Sequence, residues 1–234
     1  MLLLSGGMVA RMALADTYLL YVKAGMRPLL LLSAAVLLVL GGLRLIAGLR
    51  SPRADQHDPD LGGGTAGWLL VVPVLAVALV TPSPLGAFAA GRSALRPVVA
   101  AGSSFEPLAP GPDGVADLTV TNFLRRALFD ERRSLDGARV RLVGLVAPDP
   151  SITPGSPGGF RLTRFVLTCC AADARPMQVA VRSLPATVPP TDAWVEVVGT
   201  WRPGSGAAGA GGPLPELDAE RVGRVRRPAE PYER

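Results

Sequence analysis

The segment Thr168-Cys169-Cys170-Ala171-Ala172-Asp173 holds the two cysteines of the chain, adjacent to one another and close to a carboxylate. Thiolates and a carboxylate are ligands for a soft or borderline cation such as zinc, although two sulfurs and one oxygen fall short of the four ligands of a closed structural site. Two other readings stand beside this one. The pair is a redox thiol or a vicinal disulfide, strained because neighbouring residues bring their Cα atoms closer than ordinary disulfide geometry allows. Or one cysteine is a small core residue and the other is incidental. In an extended strand consecutive side chains face opposite ways and the sulfurs diverge; near a hairpin tip that rule fails and both reach the rim. His57, the single histidine, lies in Asp55-Gln56-His57-Asp58-Pro59-Asp60, a loop that captures divalent metal weakly or serves as a solvated linker. The metal-ligand candidates are therefore Cys169, Cys170, Asp173 and His57.

Little else in the chain suggests catalysis, and the expected protein is not an enzyme. A Ser-His-Asp triad would have to recruit His57. No phosphate-binding G-x-x-x-x-G-K-[ST] or dinucleotide-binding G-x-G-x-x-G fingerprint is present, and the glycine clusters at 62–64, 155–159 and 204–212 lack the required flanks. Glu131, Asp136, Glu196, Glu216 and Glu220 read as solvated-face or turn residues. The net charge of +5 comes almost wholly from arginine, Lys23 being the one lysine. No basic run is interleaved with aromatics, so nucleic acid is not an expected partner.

The elements that must hold these residues fall into two classes. Of 234 residues 49% are hydrophobic but only 5% aromatic, an excess of Leu, Val and Ala that suits lipid better than a dense soluble core. A helix crossing ~30 Å of hydrocarbon needs about 20 residues. Residues 28–48 meet that length, with Arg44 near the interface and Arg27, Arg50 and Arg53 as flanking markers. Residues 64–84 form a second candidate, inside the uncharged stretch between Asp60 and Arg92, with Trp68 as an interfacial aromatic. Residues 2–22 are long enough to be a third, but Arg11 and Asp16 fall within them, so they either span with the help of partners or lie at the interface. Ala87-Phe88-Ala89 has the A-x-A form of a signal-peptidase site and otherwise reads as small residues leaving a membrane. The expected organisation is a membrane domain over 1–90, a Gly/Pro/Ser-rich tether over 91–116, and a β domain over 117–234. The 49–63 loop is placed in the cytoplasm and the β domain outside.

Within that last part, Thr121–Arg132 reads as an amphipathic helix with Phe123, Leu124, Ala127 and Leu128 on one face, Arg125 and Arg126 elsewhere, and Thr121 or Thr119 as its N-cap. Five strand patterns follow: Ala138–Val146, Phe160–Cys170, Met177–Arg182, Ala193–Trp201 with Gly199 marking a bulge, and Leu214–Val225. Five short strands with glycines where a barrel bends predict an OB-like barrel, since a β-sandwich would want about seven. The fold class expected is thus membrane α plus soluble β, with two or three N-terminal transmembrane helices before an OB-like small β-barrel carrying one preceding helix.

With the apolar N-terminus ending Thr17-Tyr18-Leu19-Leu20-Tyr21-Val22-Lys23-Ala24-Gly25-Met26-Arg27-Pro28, the segment Arg164–Ala174 containing TCCAADA, and Leu217-Asp218-Ala219, the chain resembles the YcgQ-like permease-subunit family of bacterial membrane proteins. The resemblance covers nearly the whole chain, and TCCAADA is its most specific part. It implies a partner, a multi-spanning permease, and a His-rich loop between membrane helices that suggests metal handling; here that loop retains only His57 with Asp55, Asp58 and Asp60. The leading expectation is a membrane-anchored accessory subunit of a transport system, in the cell membrane and multi-pass, whose barrel docks a partner or gathers cargo. A zinc-binding module or metallochaperone using Cys169, Cys170 and Asp173 is the alternative, and a thiol–disulfide protein a third reading.

Overall fold

The computed structural model describes residues 1–50, 85–92, 105–150, 159–182, 188–206 and 214–233, and it divides into two compact units, Met1–Pro84 and Leu85–Arg234. The candidate span 64–84 and the His57 loop lie outside the described residues.

In the first unit, α1 (Leu2–Leu14) is followed by two short 3-10 turns, Thr17–Leu20 and Ala24–Met26, and then by α2 (Arg27–Arg50). Spanning by 2–22 as one helix is not seen: α1 has 13 residues, ~20 Å of helix against ~30 Å of hydrocarbon. It stops because Asp16 turns left-handed at φ 56° and leaves the helix, its carboxylate meeting Arg27 Nη1 at 3.5 Å instead of Arg11. Among the described residues one helix, Ala24–Arg50, is long and apolar enough to cross a membrane. Leu29, Leu32, Val39 and Leu43 on it are exposed, an apolar surface that no other described part of the unit covers. α1 packs antiparallel on α2 through two glycines. A Cβ on Gly6 would come within 2.9 Å of Leu38, and one on Gly41 within 2.9 Å of Leu3. Small residues of this kind let helix backbones approach in lipid, where burial of apolar surface supplies no driving force.

The second unit opens with α3 (Ala87–Arg92), then β1 (Ala116–Asp117) and α4 (Val120–Phe129). Strands β2 (Arg139–Ala147), β3 (Phe160–Val166), β4 (Arg175–Arg182), β5 (Trp194–Trp201) and β6 (Glu216–Arg224) follow, with β7 (Tyr232–Glu233) at the end. The order β2-β5-β6-β4-β3 is closed by pairing of Leu145, Val146 and Ala147 of β2 with Thr163, Leu162 and Arg161 of β3, so the five strands form a closed barrel. β4 and β6 run parallel and the other barrel pairs antiparallel. The short β1 and β7 lie parallel on β2 and β3. The bulge expected at Gly199 is present: the β5–β6 register shifts between Val198 and Gly199.

The interior is filled by alternate residues of the strands, Val140, Leu142, Leu162, Val179, Val197 and Leu217 among them, and α4 plugs it with Val120, Phe123 and Leu124. Of the two N-cap candidates it is Thr119 whose hydroxyl accepts the Asn122 N–H, at 3.1 Å. The helix ends earlier than its pattern predicts, because the Asp130 carboxylate takes the N–H groups of Arg132 and Ser134. Arg126, placed off the apolar face by its spacing, is buried: its guanidinium donates to Ser134 Oγ and to the Glu106 carbonyl at 2.8 Å each, and it lies over the Phe105 ring.

The region between membrane and barrel also differs from expectation. Ala87-Phe88-Ala89 is helical, and Ala87 and Ala90 are buried in a second apolar cluster with Leu145, Ala147, Phe165, Leu167 and Tyr232. Asp192 accepts the Ala87 N–H at 2.6 Å. The compact unit therefore begins at Leu85 rather than after residue 116, and the described end of the expected tether, from Phe105 on, packs against α4.

Candidate thiol–carboxylate site

The site sits in the connection between β3 and β4. The strand expected through Cys170 stops at Val166, and the reason lies a few residues ahead: the Asp173 carboxylate turns back and accepts three backbone N–H groups that a strand ladder would otherwise use. Oδ1 accepts from Thr168 at 2.9 Å, and Oδ2 from Cys169 at 2.7 Å and Cys170 at 3.3 Å. Asp and Asn side chains commonly offer the backbone this alternative to a sheet. Cys170 then caps the 3-10 turn Ala171–Asp173, its sulfur accepting the Asp173 N–H.

With the strand interrupted, the rule that adjacent side chains diverge no longer holds. The two sulfurs and the carboxylate converge, their ligand atoms lying within 4.8 Å of one another. Cys169 is exposed and Cys170 half-buried, both are free thiols, and neither belongs to an apolar core cluster. Three of the four sequence-nominated ligands are thus together; His57 lies outside the described residues.

The electrostatics of the cluster follow from one contact. The Cys169 thiol donates to Asp173, which holds the thiol up at about 11, with Cys170 adding to the effect. The same bond and the three backbone N–H groups hold the Asp173 carboxyl down at about 2. Thiol–disulfide chemistry needs a thiolate, and a thiol at about 11 is ionised to roughly one part in ten thousand at pH 7. That is the opposite of an activated redox cysteine. A metal ion acts differently, since it displaces the thiol proton in binding.

The shift has a consequence for the turn. The unfolded carboxyl titrates near 3.8 and the folded one near 2. Its stabilisation of the turn is complete above pH 4 and is lost as pH falls from about 4 towards 2. The amide resonances of Thr168, Cys169 and Cys170 are expected to hold their positions down to about pH 4 and to move together below it, while amides of β5 stay fixed. Movement centred at or above pH 4 would show that the carboxylate is not held as described.

Fold and site together define a class: a closed five-stranded barrel domain with a thiol–carboxylate cluster in one hairpin, in a chain that also carries a helix apolar enough to cross a membrane. Residues 119–233 match the DUF1980 C-terminal domain, an uncharacterised family. The match begins at the N-cap of α4 and ends at β7, so it takes in the barrel, its plug and the cysteine hairpin, and leaves α3 outside. No curated protein matches the chain.

Proposed function

We propose that this chain is a non-enzymatic, membrane-anchored accessory subunit of a transport system, its OB-like barrel outside the cytoplasm, and that the Cys169–Cys170–Asp173 cluster holds a soft or borderline cation, zinc foremost, as cargo. The observation that carries the reading is the convergence of two thiols and a carboxylate within 4.8 Å at an exposed hairpin. Zinc binds sulfur at about 2.3 Å and oxygen at about 2.0–2.2 Å, so small side-chain rotations are enough to bring the three onto one ion. Three protein ligands leave a fourth position open. Closed four-ligand sites hold zinc for structure; an open position suits an ion that must be passed on. The Asp173 N–H donated to Cys170 Sγ and the backbone N–H groups on Asp173 orient the ligands, as outer-shell hydrogen bonds do at metal centres. Among the described residues one helix is long enough to span, too few to enclose a transport path, which favours a polytopic permease as partner.

Zinc titration of the full chain against a chromophoric chelator tests the site. One ion per chain is expected, with affinity falling at least a hundredfold in Cys169→Ser/Cys170→Ser and less in Cys169→Ser alone. His57→Ala is expected to leave the stoichiometry unchanged. No zinc bound, or equal binding by the double variant, overturns the cargo assignment. The subunit assignment is tested separately, by whether the detergent-solubilised chain copurifies with a polytopic permease.

A further inference from the structure

One end of the barrel gathers features that the thiol cluster does not explain. Phe88 of α3 is 77% exposed although its neighbours Ala87 and Ala90 are buried, and Arg92 lies over its ring at 5.4 Å. Trp194, at the start of β5, packs against the same cluster as α3, and its carbonyl accepts the Val225 N–H at 3.0 Å. This brings the end of β6 to the same place, and with it Arg224, Arg226 and Arg227. These three are exposed and form no ion pair among the described residues. Against Arg92 and these three arginines stand Glu230 and Asp192, the latter holding the Ala87 N–H, so positive charge is in excess.

We infer that this end of the barrel lies on the surface of an anionic phospholipid bilayer, with Phe88 among the headgroups and Arg92, Arg224, Arg226 and Arg227 against their phosphates. An exposed aromatic beside unpaired cations is the composition of an interfacial contact. Chain continuity selects lipid over a soluble acidic partner: the uncharged stretch after Asp60 runs without a charge into α3, and α3 is fixed to the barrel from Leu85 on. Leu167 and Ala174, which flank the thiol turn, pack in the same cluster as α3. Docking therefore sets Cys169, Cys170 and Asp173 close to the membrane surface, where an ion could pass to a membrane-embedded partner. The inference rests on the membrane-anchored reading and extends it.

The test uses the full chain with Cys169→Ser and Cys170→Ser, reconstituted in vesicles of phosphatidylglycerol and phosphatidylcholine that carry a headgroup-level nitroxide lipid. A bimane is placed through Gly91→Cys, where a Cβ meets nothing within 4 Å, or through Glu131→Cys, which is exposed and lines the cleft beside Trp201 at the opposite end of β5. Quenching at 91 is expected to exceed that at 131 at least threefold. It should fall to the level at 131 with Arg224→Gln/Arg226→Gln/Arg227→Gln, with Phe88→Ser, or in phosphatidylcholine alone. Equal quenching at the two positions, or stronger quenching at 131, overturns the docking. Undiminished quenching at 91 in neutral lipid and in the triple variant overturns its electrostatic basis. A chain that does not float with the vesicles at all removes the membrane-anchored reading itself, and this inference with it.

Discussion

Gly199→Ala is expected to unfold the barrel at a temperature at least 10 °C below that of the parent chain. The cause is a backbone collision that no side chain can relieve. A Cβ at this position would lie 2.2 Å from the Asp218 carbonyl oxygen, 3.0 Å from its carbon and 3.1 Å from Ala219 Cα. The bulge brings the β6 backbone this close, since Val198 pairs with Arg221 while Gly199 already pairs with Ala219. To admit a methyl group β6 must move away from β5, and those two strands are a seam of the closed barrel. Overpacking costs typically 1–3 kcal/mol where side chains can yield and more where they cannot. About 3 kcal/mol or more is expected here, a large part of the 5–15 kcal/mol that holds an ordinary domain together. At this size each kcal/mol moves the midpoint by about 3–4 °C. Near-UV circular dichroism provides the measurement, because Trp194 and Trp201 bracket β5. Gly223→Ala, in the neighbouring strand β6 but with nothing within 4 Å of the added atom, is the matched control and should shift the midpoint little. Equal shifts for the two would show that the close approach is not real.

The same glycine shows which parts of the fold could be read from residue order. Gly199 interrupts the run Trp194–Trp201 with no turn around it, and inside a strand that combination signals a bulge. The five barrel strands were legible for a similar reason: each is a short run of alternating or β-branched residues set off by Gly, Pro or Asp. Signals were lost wherever the deciding partner was far away in sequence. Tyr232-Glu233 makes a strand only because Phe165 and Val166 offer it an edge, and nothing in two residues announces that. The burial of Arg126, off the apolar face of its helix, was not legible because the Ser134 hydroxyl and Glu106 carbonyl that receive it are not its helical neighbours. At the cysteine hairpin the composition singled out Cys169, Cys170 and Asp173, but not their convergence. That depended on ending the strand at Val166 rather than Cys170, and the signal was a short-range one, an Asp placed to draw in the N–H groups of 168–170. In the N-terminal unit, apolar length alone could not tell a span over residues 2–22 from a helix that stops at Leu14, because the stop is conformational, at Asp16.

Glu233, at the far end of the barrel chain, is the second residue whose loss should be severe. Its side chain is 5% exposed, and both carboxylate oxygens are engaged: Oε1 accepts the Val120 N–H and Oε2 the Thr121 N–H, each at 2.8 Å. The first N–H groups of a helix have no partner within it. At α4 Thr119 covers one, and a carboxylate more than a hundred residues later in the chain covers two more, where the helix dipole also favours negative charge. Arg164, with Nε 3.6 Å from Oε1 and its guanidinium stacked 5.0 Å from Trp194, is the countercharge; burial pushes its pKa down and Glu233 holds it up. Glu233→Ala strands two N–H groups and a buried cation together. Removing one partner of a buried pair costs about 3–5 kcal/mol, because the other is left uncompensated. A midpoint lower by about 10 °C is expected. Glu233→Gln keeps one acceptor oxygen, so it should retain part of the cap and fall between the two. Arg164→Met/Glu233→Gln should recover stability relative to Glu233→Gln alone, since the stranded cation is gone. A thermal midpoint unchanged in Glu233→Ala would mean that β7 does not hold α4. The plug would then be kept in the barrel by Val120, Phe123 and Leu124, and the chain beyond β6 would serve the domain only through Tyr232 and its pairing with β3.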